Sequence, residues 1–281
     1  MAIELAVSTR LTRLAAEAAT AVGESLRAGF RSRPAVATKT DRHDLVTAYD
    51  KAAEERIREM ILAAEPDSVI VGEEGGVTGA GSVVWYVDPI DGTANFAHGL
   101  PFFATSIAAA VDDTLVAAAV YDPIAEDLFT ASLDGAWCNG RPIASQGAAD
   151  ERDALLVAGY PSARHLAAEG DLALARVRTL VETYQTFRKP GSTALGLAHV
   201  AAGWADVAIG FDVFPWDIAA AALLVTGAGG RFLGLRPPGS TPELPAWHSP
   251  GYLATVGTLD PLASRVLAAF TDTYEFRELR R

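Results

Sequence analysis

Carboxylates recur in this chain where strand ends and glycines could turn them toward a shared cation. In Val83-Val-Trp-Tyr-Val-Asp-Pro-Ile-Asp-Gly-Thr-Ala-Asn-Phe96, Asp88 follows an apolar run, then comes a proline, and Asp91 stands three residues on. Pro89 restrains the backbone, so that Asp88, Asp91 and the Ile90 carbonyl can converge on one or two hard cations, which take oxygen ligands. Gly92 permits a sharp turn, and the amides of Gly92 and Thr93 can then face outward toward an anion. A cation site beside an anion cradle is phosphate chemistry. Asp-Gly-Thr alone is most often a polar turn, but the nine residues Asp88 to Phe96 are far more specific.

Four further stretches are weaker in isolation. Glu73-Glu74, between the strand-like run ending at Val71 and the pair Gly75-Gly76, sets two carboxylates side by side. Their repulsion raises pKa values unless a cation or strong donors compensate, although most such pairs are solvated loops. Asp217 opens the otherwise apolar or small helical run Trp216 to Val225, where an aspartate is ordinarily a helix cap. Asp50 follows Thr47 at the spacing of a capping box, so it too has a structural explanation. Ser192 after Gly191 is explained by a helix cap.

The elements that must position these groups follow from the chain as a whole. Its 281 residues suit one compact body of two fused halves, here expected at 1–145 and 146–281 with a polar seam at Ser145 to Arg152. Half of the residues are hydrophobic, and 35 acidic against 23 basic residues leave a net charge of −12. Without a basic block or helix face, nucleic acid is not an expected partner. The longest strongly apolar run, Ile218 to Gly230, falls short of the roughly 18 residues that span a bilayer, so no membrane partner is expected. The early Glu4, Arg10 and Arg13 do not suit a signal peptide. With the single Cys138, which excludes an intrachain disulfide, they favour a cytoplasmic protein. His43, His98, His165, His199 and His248 lack the spacing of zinc ligands.

Helical periodicity marks Leu11 to Leu26 and Ala53 to Ala64. Short strands are then expected near 68–71, 83–87, 106–111, 116–121, 128–131 and 136–138, with a tight turn at Asn139-Gly140. Later strands at 155–158, 206–209, 231–233 and 253–255 alternate with helices near 171–183, 192–202, 216–227 and 260–270. The pattern predicts an α+β fold of two α/β halves sharing a cleft.

Glu73-Glu74, Asp88-Pro-Ile-Asp-Gly-Thr-Ala-Asn-Phe96 and Trp216-Asp-Ile-Ala-Ala220 resemble, in order and separation, the defining motifs of the inositol monophosphatase family. Asp44-Leu-Val-Thr-Ala-Tyr-Asp50, Gly135-Ala-Trp-Cys-Asn-Gly140 and Gly191-Ser-Thr-Ala194 extend the likeness over nearly the whole chain. The resemblance implies a layered αβαβα sandwich and a lithium-sensitive, magnesium-dependent phosphomonoesterase, commonly a homodimer. Its substrate would be a small phosphorylated metabolite: an inositol phosphate, histidinol phosphate, a 3′-phosphonucleotide or fructose 1,6-bisphosphate. A catalytically silent, phosphate-binding relative is the alternative from another class.

By the same resemblance, Glu73, Asp88 and the Ile90 carbonyl would hold one magnesium, Asp88, Asp91 and Asp217 a second, and Glu73 with water a weaker third. Glu74 and Thr93, supported by Asp50, correspond to the pair that orients and deprotonates the attacking water. The Gly92 and Thr93 amides would hold phosphate, Lys39 matches a basic position near the metals, and Gly191 and Ser192 line the substrate cleft. Inositol phosphatases commonly carry a glutamate six residues before the motif tryptophan to accept hydrogen bonds from substrate hydroxyls. Here that position is Gly210, with Asp212 two residues later as the alternative acceptor, so little preference for inositol 1-phosphate is expected.

Overall fold

The computed structural model describes residues 4–32, 34–38, 45–240 and 244–279. Lys39, His43 and Asp44 lie outside the described residues. The chain opens with α1 (Leu5–Ala21) and α2 (Gly23–Gly29), a small hairpin of β1 (Val36–Thr38) and β2 (Leu45–Thr47), and α3 (Ala48–Ala64). The apolar stripe of α1, Leu11, Leu14, Ala15, Ala18 and Ala19, is buried, as the helical spacing predicts.

The first sheet contains β3 (Ser68–Gly72), β4 (Gly76–Gly79), β5 (Val83–Asp91), then, after the short α4 (Thr93–His98), β6 (Ala104–Val111), β7 (Thr114–Asp122), β8 (Asp127–Ser132), β9 (Gly135–Cys138) and β10 (Arg141–Pro142). Its order is β10-β9-β8-β7-β6-β5-β3-β4, antiparallel throughout except for the parallel pair β3 and β5. Asn139 and Gly140 both take positive φ, 50° and 74°, as a two-residue hairpin turn requires.

The second sheet draws on β11 (Leu155–Ala158), β12 (Thr186–Arg188) after helices α5 (Ala163–Glu169) and α6 (Asp171–Thr183), and β13 (Val207–Phe211) after α7 (Thr193–Ala202). It continues past α8 (Pro215–Gly227) with β14 (Arg231–Arg236) and β15 (Gly251–Thr255), and past α9 (Arg265–Ala268) with β16 (Glu275–Glu278). The strand order is β12-β11-β13-β15-β14-β16.

Helices α7 and α8 lie between the sheets, α8 crossing β5 to β8 on one side and β14 on the other, while α1 and α3 cover the far face of the first sheet. The result is an α+β sandwich with αβαβα layering. Apolar and small residues cover nearly the whole circumference of α8, and Ile218 to Thr226 are all buried, which suits a helix enclosed by two sheets. The alanine runs of β6 and β7 are likewise buried on both faces. The helix expected near 260–270 is instead a 3-10 turn at Pro261–Ala263 followed by the four residues of α9. Asp260 and Ser264 each accept an amide as a cap, so two successive starts interrupt the periodic stretch. The strands β4, β12 and β16 and the helices α4 and α5 have no counterpart in the sequence pattern; each is short and carries little periodic signal.

Candidate active site

The end of β5 builds one wall of the carboxylate site. Asp88 pairs with Ser106 and Asp91 with Ala104, so β5 carries one residue more than β6 over this span. In a regular strand, residues three apart point to opposite faces; a bulge cancels that alternation and brings both carboxylates to one side. The Ile90 amide donates to Asp88 Oδ1 at 2.9 Å and the Thr105 hydroxyl to the Pro89 carbonyl at 2.9 Å, fixing the turn. Gly92 follows at φ 100°. A Cβ there would lie 3.1 Å from the Gly191 carbonyl, so the left-handed conformation and the close approach both call for glycine.

The opposite wall supplies the start of α7 and of α8. Ser192 Oγ donates to Asp91 Oδ2, the Ala194 amide adds a 2.7 Å bond to the same oxygen, and the Thr193 amide also donates to Asp91. Ser192 is also the N-cap of α7, the structural one of the two roles that the sequence offers for it, and it is buried against Asp91. Asp217 accepts the Phe214 amide at 2.7 Å through Oδ2; it caps the helix from the third helical position and is not the N-cap itself, because the helix already starts at Pro215. It also brings an oxygen into a group with Asp88 and Asp91 whose ligand atoms all lie within 4.8 Å of one another. Trp216, whose carbonyl accepts from Ser106 Oγ at 3.1 Å, ties that helix start to the first sheet.

Glu73 joins the group by hydrogen-bonding Asp88. Burial, then the charges of Glu73, Asp91 and Asp217, push the Asp88 carboxyl well above its ordinary range. Asp91 is pushed up to about 6, chiefly by burial, while the bonds from Ser192, Ala194 and Thr193 pull the other way. Four crowded, partly desolvated carboxylates with oxygen-only donors form a cluster that a hard divalent cation relieves.

Asp50 is buried, and its two oxygens serve two purposes. Oδ2 completes the capping box at the start of α3, accepting the Thr47 amide at 2.8 Å and hydroxyl at 2.6 Å. Oδ1 accepts the Thr93 hydroxyl at 2.9 Å, which also lies 3.0 Å from the Ile90 carbonyl. The half-buried Glu73 and Glu74 sit on a loop held from beneath by Glu54, a residue that sequence reasoning missed. Glu54 is 2% exposed; it accepts the Glu74 amide at 2.7 Å, the Gly75 amide at 2.8 Å and Arg58 at 2.5 Å. A Cβ on Gly72 would fall 2.4 Å from the Glu54 carboxylate, and one on Gly75 2.7 Å from it. The available signal was a glutamate on the apolar stripe of Ala53, Ile57 and Ile61, four residues before an arginine.

The remaining expectations are dispersed. Gly191 is exposed at φ 91° beside Asn95, whose amide nitrogen donates to the carbonyls of Phe102 and Pro190 at 2.6 and 2.7 Å. Gly210 is buried within β13 under the ring of Tyr252. Asp212 is exposed, at φ 56°, with Oδ2 4.0 Å from His165 Nε2. Cys138 is half-buried and its thiol is pushed up to about 11, by burial first and then by Asp127, consistent with a packing thiol rather than a nucleophile. Among the described residues, no helix is long and apolar enough to cross a membrane.

Residues 8–270 match the model of the inositol monophosphatase family. The chain is 38% identical over 226 residues to the Nus factor SuhB of Pseudomonas aeruginosa, covering 78% of this chain and 83% of that protein. It is 35% identical over 191 residues to the fructose-1,6-bisphosphatase/inositol-1-monophosphatase of Aquifex aeolicus, covering 67% and 72%. The structure of inositol monophosphatase from Anabaena superposes with a TM-score of 0.77 at 31% identity, over 94% of this chain and 96% of that one. The family match over nearly the whole chain, on this fold and with this carboxylate cluster, makes the protein a member of the inositol monophosphatase family and a phosphoric monoester hydrolase.

Proposed function

We propose that the chain hydrolyses small phosphate monoesters with magnesium held by Glu73, Asp88, the Ile90 carbonyl, Asp91 and Asp217, through direct attack by water and without a phosphoenzyme. The observation that carries this reading is the meeting of Asp88 and Asp91 from β5 with Asp217 from α8. Two or three ions, when bound, would neutralise the ester's charge and lower the pKa of water. The chain's own residues supply the rest. Thr93, by donating its hydroxyl proton to Asp50, directs its lone pairs outward, where they can accept a hydrogen bond from the attacking water. Glu74, steadied through its amide by Glu54, serves as the base that orients and deprotonates that water. First-turn amides have no acceptor within their own helix, and those of Gly92 and Thr93 would hold the phosphate oxygens.

Asp91 and Asp217 lie on the side where the leaving alkoxide would form, which is also where lithium would compete with magnesium. Gly191, Asp212 and Lys39 remain candidates for the substrate wall, and the absence of a side chain at Gly210 favours broad use of small phosphomonoesters. The substrate pool, a cytoplasmic one, would include inositol 1-phosphate, histidinol phosphate, 3′-phosphonucleotides and fructose 1,6-bisphosphate. A homodimer is the expected assembly, which gel filtration tests. Phosphate release across this panel, with magnesium added and then chelated, tests the reading; no magnesium-dependent turnover of any member would remove it.

A second reading, a protein-binding factor without turnover, draws on the 38%-identical relative named a Nus factor. The same assay separates the two, because a silent factor releases no phosphate.

A further inference from the structure

Only Asp212, Val213 and Phe214 separate β13 from α8, and they do not face the same way. The Val213 amide donates to the Pro250 carbonyl at 3.2 Å, and its half-buried side chain packs against the core. Asp212 and Phe214, on either side of it, are exposed. Phe214 is 56% exposed, more than Trp204 or Phe276 at 52% and 47%.

The exposed ring is nevertheless held in place. The Phe214 amide donates to Asp217 Oδ2 at 2.7 Å, and its carbonyl accepts the Asp217 amide at 3.1 Å. Pro215 follows at the first helical position, where the fixed φ of proline suits a helix start. The ring stacks on Trp216, with centroids 4.8 Å and planes 17° apart. Trp216 is half-buried against the core, and its carbonyl accepts from Ser106 Oγ on the first sheet. One face of the Phe214 ring is thereby backed and the other left open, a pre-ordered surface that costs little to bind against.

The neighbouring carboxylate decides what the open face meets. The Phe214 amide touches Asp217 itself, so the ring stands at the rim of the carboxylate group, on the side where the alcohol of a phosphate ester would project. This wall offers a polyol little else. The space at Gly210 is filled by the Tyr252 ring, and the Asp212 carboxylate lies 4.0 Å from His165 Nε2.

We propose that Phe214, backed by Trp216, is a specificity-determining residue: a stacking platform that selects phosphate monoesters whose alcohol carries a planar aromatic ring. The assignment rests on the phosphatase reading above and names the substrate class within it. A planar ring can lie flat in an offset stack on the open face. A puckered ring of the same size buries similar apolar area but cannot lie flat, so the contact discriminates by shape as well as by hydrophobicity.

The test compares phenethyl phosphate with cyclohexylethyl phosphate on the full-length protein with magnesium. The wild type is expected to favour the phenyl ester by about three- to tenfold in kcat/KM, the worth of one aromatic pair, with the difference in KM rather than kcat. Phe214→Leu keeps an apolar side chain without the flat face and should bring the ratio close to one; Phe214→Trp should restore it. A wild type without preference for the planar ring would overturn the assignment, whatever the variants do. So would an unchanged ratio in Phe214→Leu, or an equal loss on both esters with a lowered melting temperature, since the ring would then serve only the start of α8. No magnesium-dependent turnover of either ester or of the metabolite panel would instead remove the phosphatase reading, and this inference with it.

Discussion

One wall of the carboxylate site comes from consecutive residues and the other from distant ones. Asp88, Ile90, Asp91, Gly92 and Thr93 lie within six positions of the chain, and a strand bulge with a left-handed glycine aims them together. The facing wall is assembled from the starts of α7 and α8 and from paired positions on β13 and β15. Its residues act largely by holding those of the first wall: Ser192 and Ala194 grip Asp91, and Asp217 completes the carboxylate group. Candidate metal ligands can thus be written into a few consecutive residues, whereas their support is set by packing between elements.

Asp217→Asn tests whether the second wall contributes to the metal site. An asparagine oxygen can still accept the Phe214 amide, so the fold should survive, while one ligand charge is lost. Turnover at limiting magnesium is expected to fall by more than about a thousandfold; near-wild-type turnover would confine the metal site to the first wall. Glu74→Gln asks the complementary question of that first wall. Its rate at saturating magnesium should drop by about a hundred- to a thousandfold, as loss of a general base does, with magnesium affinity little changed. A large loss of affinity with an intact rate would reassign Glu74 as a ligand.

Glu54→Gln probes support within the first wall. It discharges the partner of Arg58 and weakens two amide contacts beneath Glu74, so about a tenfold loss in rate and a destabilisation of about 1–3 kcal/mol are expected. An unaltered rate in a destabilised protein would make Glu54 purely structural. Gly210→Glu has the smallest expected effect on chemistry. The sequence alone suggests that this change raises inositol preference, but the added Cβ meets the Tyr252 ring. The expected outcome is therefore a melting temperature lowered by an overpacking cost of about 1–3 kcal/mol, with no gain in kcat/KM for inositol 1-phosphate over glycerol 2-phosphate. A gain of tenfold or more would show that the ring yields and that the second wall is more adaptable than its packing implies.

Much of the first wall is legible in the sequence, because a proline, a glycine and two carboxylates at fixed spacing constrain the backbone locally. The dual roles of Asp50 and Asp217 are only half legible. Their capping positions follow from neighbours in sequence, but the Thr93 hydroxyl on Asp50 joins residues 43 positions apart. The long helices emerge from their periodicity, whereas α4, α9 and the edge strand β16 are too short to carry one.

The Asp88 and Asp91 pair, the sharp turn at Gly92 and the alternation of elements that yields two sheets are written in the amino-acid sequence, since each depends on residues within a few positions of one another. It took the folded arrangement to establish that Ser192 holds Asp91 across 101 residues, that Glu54 lies beneath Glu74, and that Tyr252 fills the space above Gly210. Those pairings depend on sheet register and helix packing, through which a glycine's missing side chain acquires meaning only from the ring that lies against it.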